Sequence, residues 1–387
     1  MIFEILVAIS GIVTVYSLIN SLVNLRITSE IYRLPKTKER PLVSILVPAR
    51  NEEANIAKCV QSLLDQNYSN FEIVVLNDNS TDKTGEILDG LKKKNKNLKV
   101  ISGKPLPKGW LGKNWACHQL SENAVGDYYL FTDADTIHTT DMLISVVSAA
   151  KNKDLEFISM LPKYPLGSWF EKVILPFISF FYFILSPLYV GQKYKQEYLS
   201  LAIGQFLFFS KKAYDQIGGY SRIRAEFLDD TSFVRITSTL GLNWRFYNGS
   251  RLVSCRLYHN FKEVFHGFTK NAYGFFNAHL FVYIVMVAFL LTIFFSPLAV
   301  IIAFILGKVG FLVYILAVLI IVMNIYIFSI VLYKVKIRPY YSVYYLFSIF
   351  CWLIITFFSV HRYICVFNKG IGRNVYDHQK GIKSSSN

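Results

Sequence analysis

Apolar positions along the chain fall into two kinds of pattern. Ile2 to Leu25 is apolar but for Glu4 and scattered small polar residues, and a bilayer crossing takes about 20 such residues. From His279 to Val366 there is no Asp or Glu, and three further apolar runs can be cut from that stretch. They are Leu280 to Leu306 (interrupted by Ser296-Pro297), Phe311 to Leu332, and Tyr341 to Val360. Another run, Val173 to Val190, sits inside polar sequence, carries Pro176 and Pro187, and is flanked by Lys172 and Lys193. That arrangement suits a helix lying in the membrane interface better than a crossing.

Between Pro41 and about Asn260 strands and helices alternate. Leu42 to Pro48 is a short β-branched run ending at proline, expected as a buried strand. A helical pattern opens at Asn51-Glu52-Glu53 and continues through Ile56, Val60, Leu63 and Leu64. Phe71 to Leu76 is a second strand, closed by the polar run Asn77 to Asp82, with a helix from Thr84 to about Lys93. Leu98 to Ile101 and Tyr128 to Thr132 read as two more strands. The alternation predicts an α/β fold with a doubly wound, mostly parallel sheet, plus transmembrane helices outside it.

Composition sharpens this picture. Only 17% of residues are charged and 53% are apolar, where a soluble domain carries about a quarter charged. Disorder is excluded, because there is ample apolar surface to bury. The five cysteines (Cys59, Cys117, Cys255, Cys351, Cys365) are scattered without metal-type spacing, which excludes a disulfide-stapled module. The formal charge of +15 fits a membrane protein facing anionic lipid. Nucleic-acid binding would account for the charge but not the apolar content.

Charge also predicts topology. No small-residue cleavage site follows the first apolar run, and its basic flank (Arg26, Arg33, Lys36, Lys38, Arg40) comes after it, as for an uncleaved anchor with a cytoplasmic C-terminal end. The basic loop Lys334 to Arg338 is expected in the cytoplasm as well. Counting crossings then puts the tail outside, against its Lys369, Arg373, Lys380 and Lys383. Either that bias is overridden or the run before Gly307 folds back at Pro297. The expected organisation is an anchor over 1–25, a basic linker over 26–40 and a cytoplasmic catalytic domain over 41–260, with 173–190 interfacial. An interfacial segment over 261–278, about three transmembrane helices within 279–366 and a basic tail over 367–387 complete it.

In parallel sheets ligands bind beyond the carboxyl ends of the strands. Arg50-Asn51-Glu52, the run Asp78 to Asp82, and Asp133 with Asp135 all fall there. No glycine fingerprint or P-loop is present to cradle phosphates. Two carboxylates one residue apart after a strand can instead hold a hard divalent cation that bridges a diphosphate. The same residue types make turns and N-caps, and it is their joint placement at strand ends of one sheet that points to a site.

Val47-Pro48-Ala49-Arg50-Asn51-Glu52-Glu53, Leu76-Asn77-Asp78-Asn79-Ser80-Thr81-Asp82 and Asp133-Ala134-Asp135, in that order, resemble the motifs of family 2 glycosyltransferases with the GT-A (nucleotide-diphospho-sugar transferase) fold. The likeness covers about Pro41 to Asn277. It implies that Pro48, Ala49, Arg50, Glu52 and Asp78 line the donor site, with Asp78 at the nucleobase of a UDP-sugar. It also implies that Asp133 and Asp135 hold Mg²⁺ or Mn²⁺ and that Asp133 meets the diphosphate. Asn77 and Asn79 stand where the family usually has Asp and Gly, a mild departure. Asp229-Asp230 with Arg235 matches the family's Glu-Asp motif and makes Asp230 the candidate base, the bland reading being a helix N-cap acid.

Gly109 to Cys117 resembles the donor-side loop of the membrane-bound, lipid-glycosylating subset, with Lys113 near phosphate; an ordinary surface loop anchored by Trp110 and Trp115 is the alternative. Gly204-Gln205-Phe206 and Gly218-Gly219-Tyr220 resemble the segment leading to the base. Arg256-Leu257-Tyr258 and Gly267 to Asn271 are similar to carotenoid-acid glycosyltransferases. Asp229, His266 and Lys270 are then expected on the acceptor or membrane side, though His266 and Lys270 also suit simple interfacial anchoring. The Gln-x-x-Arg-Trp motif of processive members is absent.

The implied activity is one inverting transfer per turnover from a UDP-sugar, glucose or a relative, to a lipid acceptor such as a carotenoid carboxylate at the phospholipid membrane, with no nucleic-acid partner. A polyprenyl phosphate, hopanoid or diacylglycerol acceptor is the alternative. A non-catalytic scaffold or transporter is the rival of another class, and few intramembrane charges argue against an ion pathway.

Overall fold

The computed structural model describes residues 2–258, 260–271 and 280–368. The chain opens with α1 (Ile2–Thr28), β1 (Val43–Ala49), α2 (Ile56–Leu64), β2 (Phe71–Asn77), α3 (Thr84–Lys94) and β3 (Leu98–Ser102). Next come α4 (Gly112–Glu122), β4 (Tyr128–Thr132), β5 (Thr136–His138), α5 (Met142–Lys153), β6 (Phe157–Leu161), α6 (Trp169–Ile184) and α7 (Leu188–Tyr194). They are followed by β7 (Phe206–Ser210), α8 (Lys211–Ile217), α9 (Gly219–Arg222), α10 (Asp229–Thr239), β8 (Trp244–Asn248) and β9 (Val253–Cys255). Helices α11 (Phe261–Asn271), α12 (Leu280–Leu290), α13 (Ser296–Ile305), α14 (Phe311–Lys334) and α15 (Tyr345–Asn368) close the order.

Two compact units result, one of them made of 24–165 and 187–256. Its seven-stranded sheet runs β3-β2-β1-β4-β7-β6-β8. β1 pairs in parallel with β2 and β4, β2 with β3, and β6 with β8, while β7 is antiparallel to both β4 and β6. β5 and β9 form a separate antiparallel pair. Val43, Ile45, Leu46 and Val47 of β1 are fully buried on both faces, as a central strand of a doubly wound sheet requires. Ile56, Val60 and Leu63 of α2 and Val146, Val147 and Ala150 of α5 pack into the same core.

The four strands expected from sequence are present. β6, β7 and β8 are additional; buried on both faces, with β7 and β8 rich in aromatics, they show no period-two alternation to read. α2 begins at Ile56 rather than Asn51 because Asn51 takes a left-handed φ of 55°, which breaks helical geometry.

The other unit takes the N-terminal helix through Val23, residues 166–186, and the described residues from Leu257 on. Among the described residues, four helices are long and apolar enough to cross a membrane: Ile2–Thr28, Tyr283–Ile305, Phe311–Lys334 and Pro339–Arg362. The Ser296-Pro297 interruption does not divide its span. A π-helical turn over Leu291–Phe295 precedes α13, and Pro297 sits in that helix's first turn, where its missing N–H costs least.

α6 is buried on nearly all sides by its own unit, which differs from the one-faced burial of an interfacial helix. Phe180 packs on Phe328, with ring centroids 4.5 Å apart, and the Ser348 hydroxyl donates to the Val173 carbonyl at 2.7 Å. Both ends of α6 are closed by polar groups. Ser168 and Glu171 form a capping box at its start, and the Asn20 amide donates to the carbonyls of Phe183, Ile184 and Ser186 at its end. In apolar surroundings unpaired backbone groups are costly, so each end needs such a partner.

Candidate active site

The carboxyl ends of β1, β2 and β4, neighbours in the sheet, bring three polar segments to one edge. After β1 and β2 the chain makes two interlocked turns. The Asn51 and Glu52 amides donate to Ser80 Oγ (3.1 Å) and Thr84 Oγ1 (2.8 Å), and the Thr81 amide donates to Asn51 Oδ1 at 2.8 Å. Asn79, like Asn51, is left-handed (φ 52°), and asparagine tolerates that geometry where the family's usual glycine would. Asp82 is thus occupied locally, receiving the Glu53 and Thr84 amides.

Asp78 is fixed by its own amide, which donates to the Ala49 carbonyl at 2.8 Å, and its carboxylate faces Arg50, Nη1 to Oδ2 3.6 Å. Gly103 backs it closely: a Cβ there would lie 2.9 Å from Asp78 Oδ1 and 3.1 Å from Asp78 Cα, so a larger residue would have to displace Asp78. Pro48 and Ala49 contribute backbone at this edge, and Glu52 Oε2 accepts from the Asn55 amide at 3.0 Å.

The turn after β4 carries Asp133 and Asp135. Asp133 Oδ1 lies 2.9 Å from Lys113 Nζ, whose ammonium is also 3.7 Å from Asp229 Oδ2. Burial alone would pull the Lys113 pKa down. The charges of Asp133 and Asp229 outweigh it and hold the ammonium well above the usual lysine range. Asp135 Oδ1 is buried with no hydrogen-bond partner among the described residues. Burial first, then the charges of Asp133 and Glu52, push the Asp135 carboxyl up to about 7, with Cys255 and Lys113 acting the other way.

Under this turn lies a polar network that sequence reading missed. His138 Nε2 is 3.2 Å from Thr132 Oγ1 and 2.9 Å from Thr136 Oγ1, and Thr136 Oγ1 donates to the Asp133 carbonyl at 2.7 Å. Thr132 Oγ1 also donates to the Gln205 carbonyl at 2.8 Å, tying the turn to the segment before β7. His138 is buried, and desolvation holds its imidazole down at about 3, so it is neutral. A lone histidine after a strand carries no sequence signal for such a role.

From Gln205 the network reaches α10. The Gly204 amide donates to Asp230 Oδ2 at 2.9 Å, and Asp230 Oδ1 accepts from the Thr231 amide. Burial first, then the Asp229 charge, raise the Asp230 carboxyl to about 6. Asp229 is itself buried, with Oδ2 accepting from the Tyr220 hydroxyl at 3.1 Å. Asp133, Lys113, Asp229, Asp230 and Gly204 therefore form one cluster. Gly204 stands at its middle, since a Cβ there would lie 3.4–3.6 Å from Asp229, Asp230 and Lys113. Of the remaining candidates, His266 is exposed on α11 in the other unit, and the Lys270 side chain lies outside the described residues.

Among the described residues no group of three His, Cys, Asp or Glu side chains could hold a metal by itself. The two aspartates still fit a hard divalent cation, which commonly takes one or two carboxylates and completes its shell with phosphate oxygens. The orphaned Asp135 Oδ1 is an acceptor awaiting such a partner.

The mostly parallel α/β sheet, with an acidic turn at its carboxyl edge, has the form of the GT-A class. Residues 44–218 match the model of glycosyl transferase family 2. Beta-monoglucosyldiacylglycerol synthase of Nostoc sp. is 42% identical over 109 residues, which is 28% of this chain and 23% of that protein. The 4,4'-diaponeurosporenoate glycosyltransferase of Staphylococcus haemolyticus is 26% identical over 232 residues, 59% of this chain and 60% of that one. The chain thus matches less than two thirds of the length of either relative. Among solved structures, a mannosyltransferase from Pyrobaculum calidifontis in complex with GDP-Man and Mn²⁺ aligns over 90% of this chain and 97% of its own, at 15% identity and a TM-score of 0.49.

Proposed function

We propose that the chain is a membrane-bound, inverting, non-processive glycosyltransferase that moves a sugar, glucose or a relative, from a UDP-sugar to a lipid acceptor. The observation that carries this reading is the cluster of Asp133, Lys113, Asp229 and Asp230 at the carboxyl edge of the sheet, in a chain that also has four helices apolar enough to span a bilayer. Relatives named for glucosylating a diacylglycerol and for acting on a carotenoid acid support a lipid acceptor.

In this reading Arg50 and Asp78 hold the nucleobase end of the donor, with Pro48, Ala49 and Glu52 shaping the same edge. Asp133 and Asp135 would hold Mg²⁺ or Mn²⁺, which would supply charge neutralisation for the departing diphosphate. The acceptor oxygen attacks the anomeric carbon, the bond from that carbon to the diphosphate oxygen breaks, and UDP leaves. A hydroxyl acceptor gives its proton to Asp230, whose raised pKa of about 6 leaves it ionised at neutral pH yet more basic than an ordinary carboxylate. A carboxylate acceptor has no proton to give.

The protein would be multi-pass in the cell membrane, with 41–260 cytoplasmic, as the basic loop Lys334 to Arg338 and the flank after α1 support. His266 and Lys270 would lie toward the membrane side. The 42% identity to the diacylglycerol-named relative favours a diacylglycerol hydroxyl as the second reading of the acceptor. Incubating membranes that contain the protein with labelled UDP-sugars tests the proposal: label is expected in one extractable lipid, identified by mass spectrometry. Label confined to free sugar, or absent, would sink it.

A further inference from the structure

Lys113 sits in the first turn of α4, where the positive end of the helix dipole disfavours a cation. It is held there from two sides. The Leu111 backbone amide donates to the Arg224 carbonyl at 2.9 Å, and the Asn114 side-chain Nδ2 donates to the carbonyls of Ile223 and Glu226 at 2.8 Å, which pins this end of α4 to the segment before Asp229. The side chain then reaches between Asp133 (2.9 Å) and Asp229 (3.7 Å). The ammonium therefore occupies the coordination sphere of the carboxylate that the proposed metal site needs. A divalent ion on Asp133, at a metal–oxygen distance of about 2.1 Å, would face this positive charge at close range.

We propose that Lys113 is the resident counter-cation of Asp133, and that it makes divalent metal binding conditional on the donor's diphosphate. The inference rests on the proposed reading of Asp133 and Asp135 as the metal site. Without a diphosphate, metal and ammonium compete for one carboxylate. With it, two or more negative charges enter together with the metal. The ammonium then has the phosphate, and Asp229 already within reach, as alternative partners. Metal and donor so favour each other's binding, and by linkage the effect is reciprocal. The Lys113–Asp133 pair does in the empty site what the metal does in the loaded one.

The test is Mn²⁺ binding to the full chain in detergent, followed by the electron paramagnetic resonance signal of free Mn²⁺, with and without UDP. Wild type should bind Mn²⁺ weakly alone and at least about tenfold more tightly with saturating UDP. Lys113→Met and Lys113→Gln should each bind Mn²⁺ alone about tenfold more tightly than wild type. Lys113→Arg should behave as wild type, and Lys108→Met, which removes an exposed charge from the loop before α4, should change nothing. Equal Mn²⁺ affinity of the wild type with and without UDP would overturn the inference whether or not the variants fold. So would unchanged Mn²⁺ affinity in Lys113→Met and Lys113→Gln while Asp135→Asn abolishes binding, a result that leaves the metal site itself standing. Mn²⁺ binding that survives in Asp135→Asn would remove the metal site, and the inference with it.

Discussion

The Gly204 amide donates to Asp230 Oδ2 at 2.9 Å, so the candidate base is oriented by the backbone just before β7 rather than by its own helix alone. Its carboxyl is held at about 6 by burial and by the neighbouring Asp229 charge. A base works only when deprotonated. With a hydroxyl acceptor, kcat should therefore fall about tenfold per pH unit below roughly 6 and level off above it. A pH–rate profile checks this, and a limb near 4 would mean that Asp230 is not the titrating base.

The buried His138 gives the acid side of stability a signature. Its folded pKa is depressed to about 3, while the unfolded chain titrates at the usual value of 6.5. Its contribution is therefore fully present above 6.5 and is lost as pH falls toward 3. Between pH 7.5 and 5 the unfolded state alone takes up this proton, lowering unfolding free energy by about 2 kcal/mol. Thermal or denaturant unfolding should show that decrement in wild type and not in His138→Gln, once the shared titration of other groups is subtracted.

How much of this was legible beforehand depends on the residue. The first four strands and the strand-end clusters at Arg50, Asp78 and Asp133 could be read, because apolar runs ending in polar turns register in the chain itself. The Gly109 to Cys117 segment suggests a loop at Lys113, whereas Lys113 opens α4, since the Gly-Lys-Asn-Trp start carries no strong N-cap. Its bridge between Asp133 and Asp229 joins positions far apart in sequence, which no local pattern encodes. The Thr132–Thr136–His138 network was invisible for the same reason, and because neutral buried histidine looks like any other histidine. Val173 to Val190 has the prolines and lysine flanks of an interfacial segment, while α14 and α15, which help bury α6, lie far along the chain.

Glu171 gives a stability prediction within that helix. It is fully buried, and its carboxylate accepts from the Gly167 amide (2.8 Å), the Ser168 amide (2.9 Å) and the Ser168 hydroxyl (2.7 Å). Glu171→Ala leaves these donors unpaired at the start of α6 and should cost roughly 2–3 kcal/mol. Glu171→Gln keeps an acceptor oxygen and should recover part of the loss. The thermal midpoint of the purified protein measures both, and an unchanged midpoint in the alanine variant would show the capping box to be dispensable.

The contrast between Asp135 and Asp230 identifies the chemical class of the acceptor. In the proposed reading Asp135 belongs to the donor side, where loss of a metal-holding carboxylate would remove charge neutralisation from every transfer, whatever the acceptor. Asp230 matters in proportion to the proton it must take. A lipid hydroxyl holds its proton until attack, so Asp230→Asn should cost about 10²–10⁴-fold in kcat. A lipid carboxylate, with a pKa of roughly 4, is already ionised at neutral pH. For that acceptor Asp230→Asn should cost less than about tenfold, while Asp135→Ala still removes nearly all turnover. Single-turnover rates of the two variants on one labelled donor decide between the cases. Equal and near-total losses assign a hydroxyl acceptor, and a modest loss in Asp230→Asn alone assigns a carboxylate.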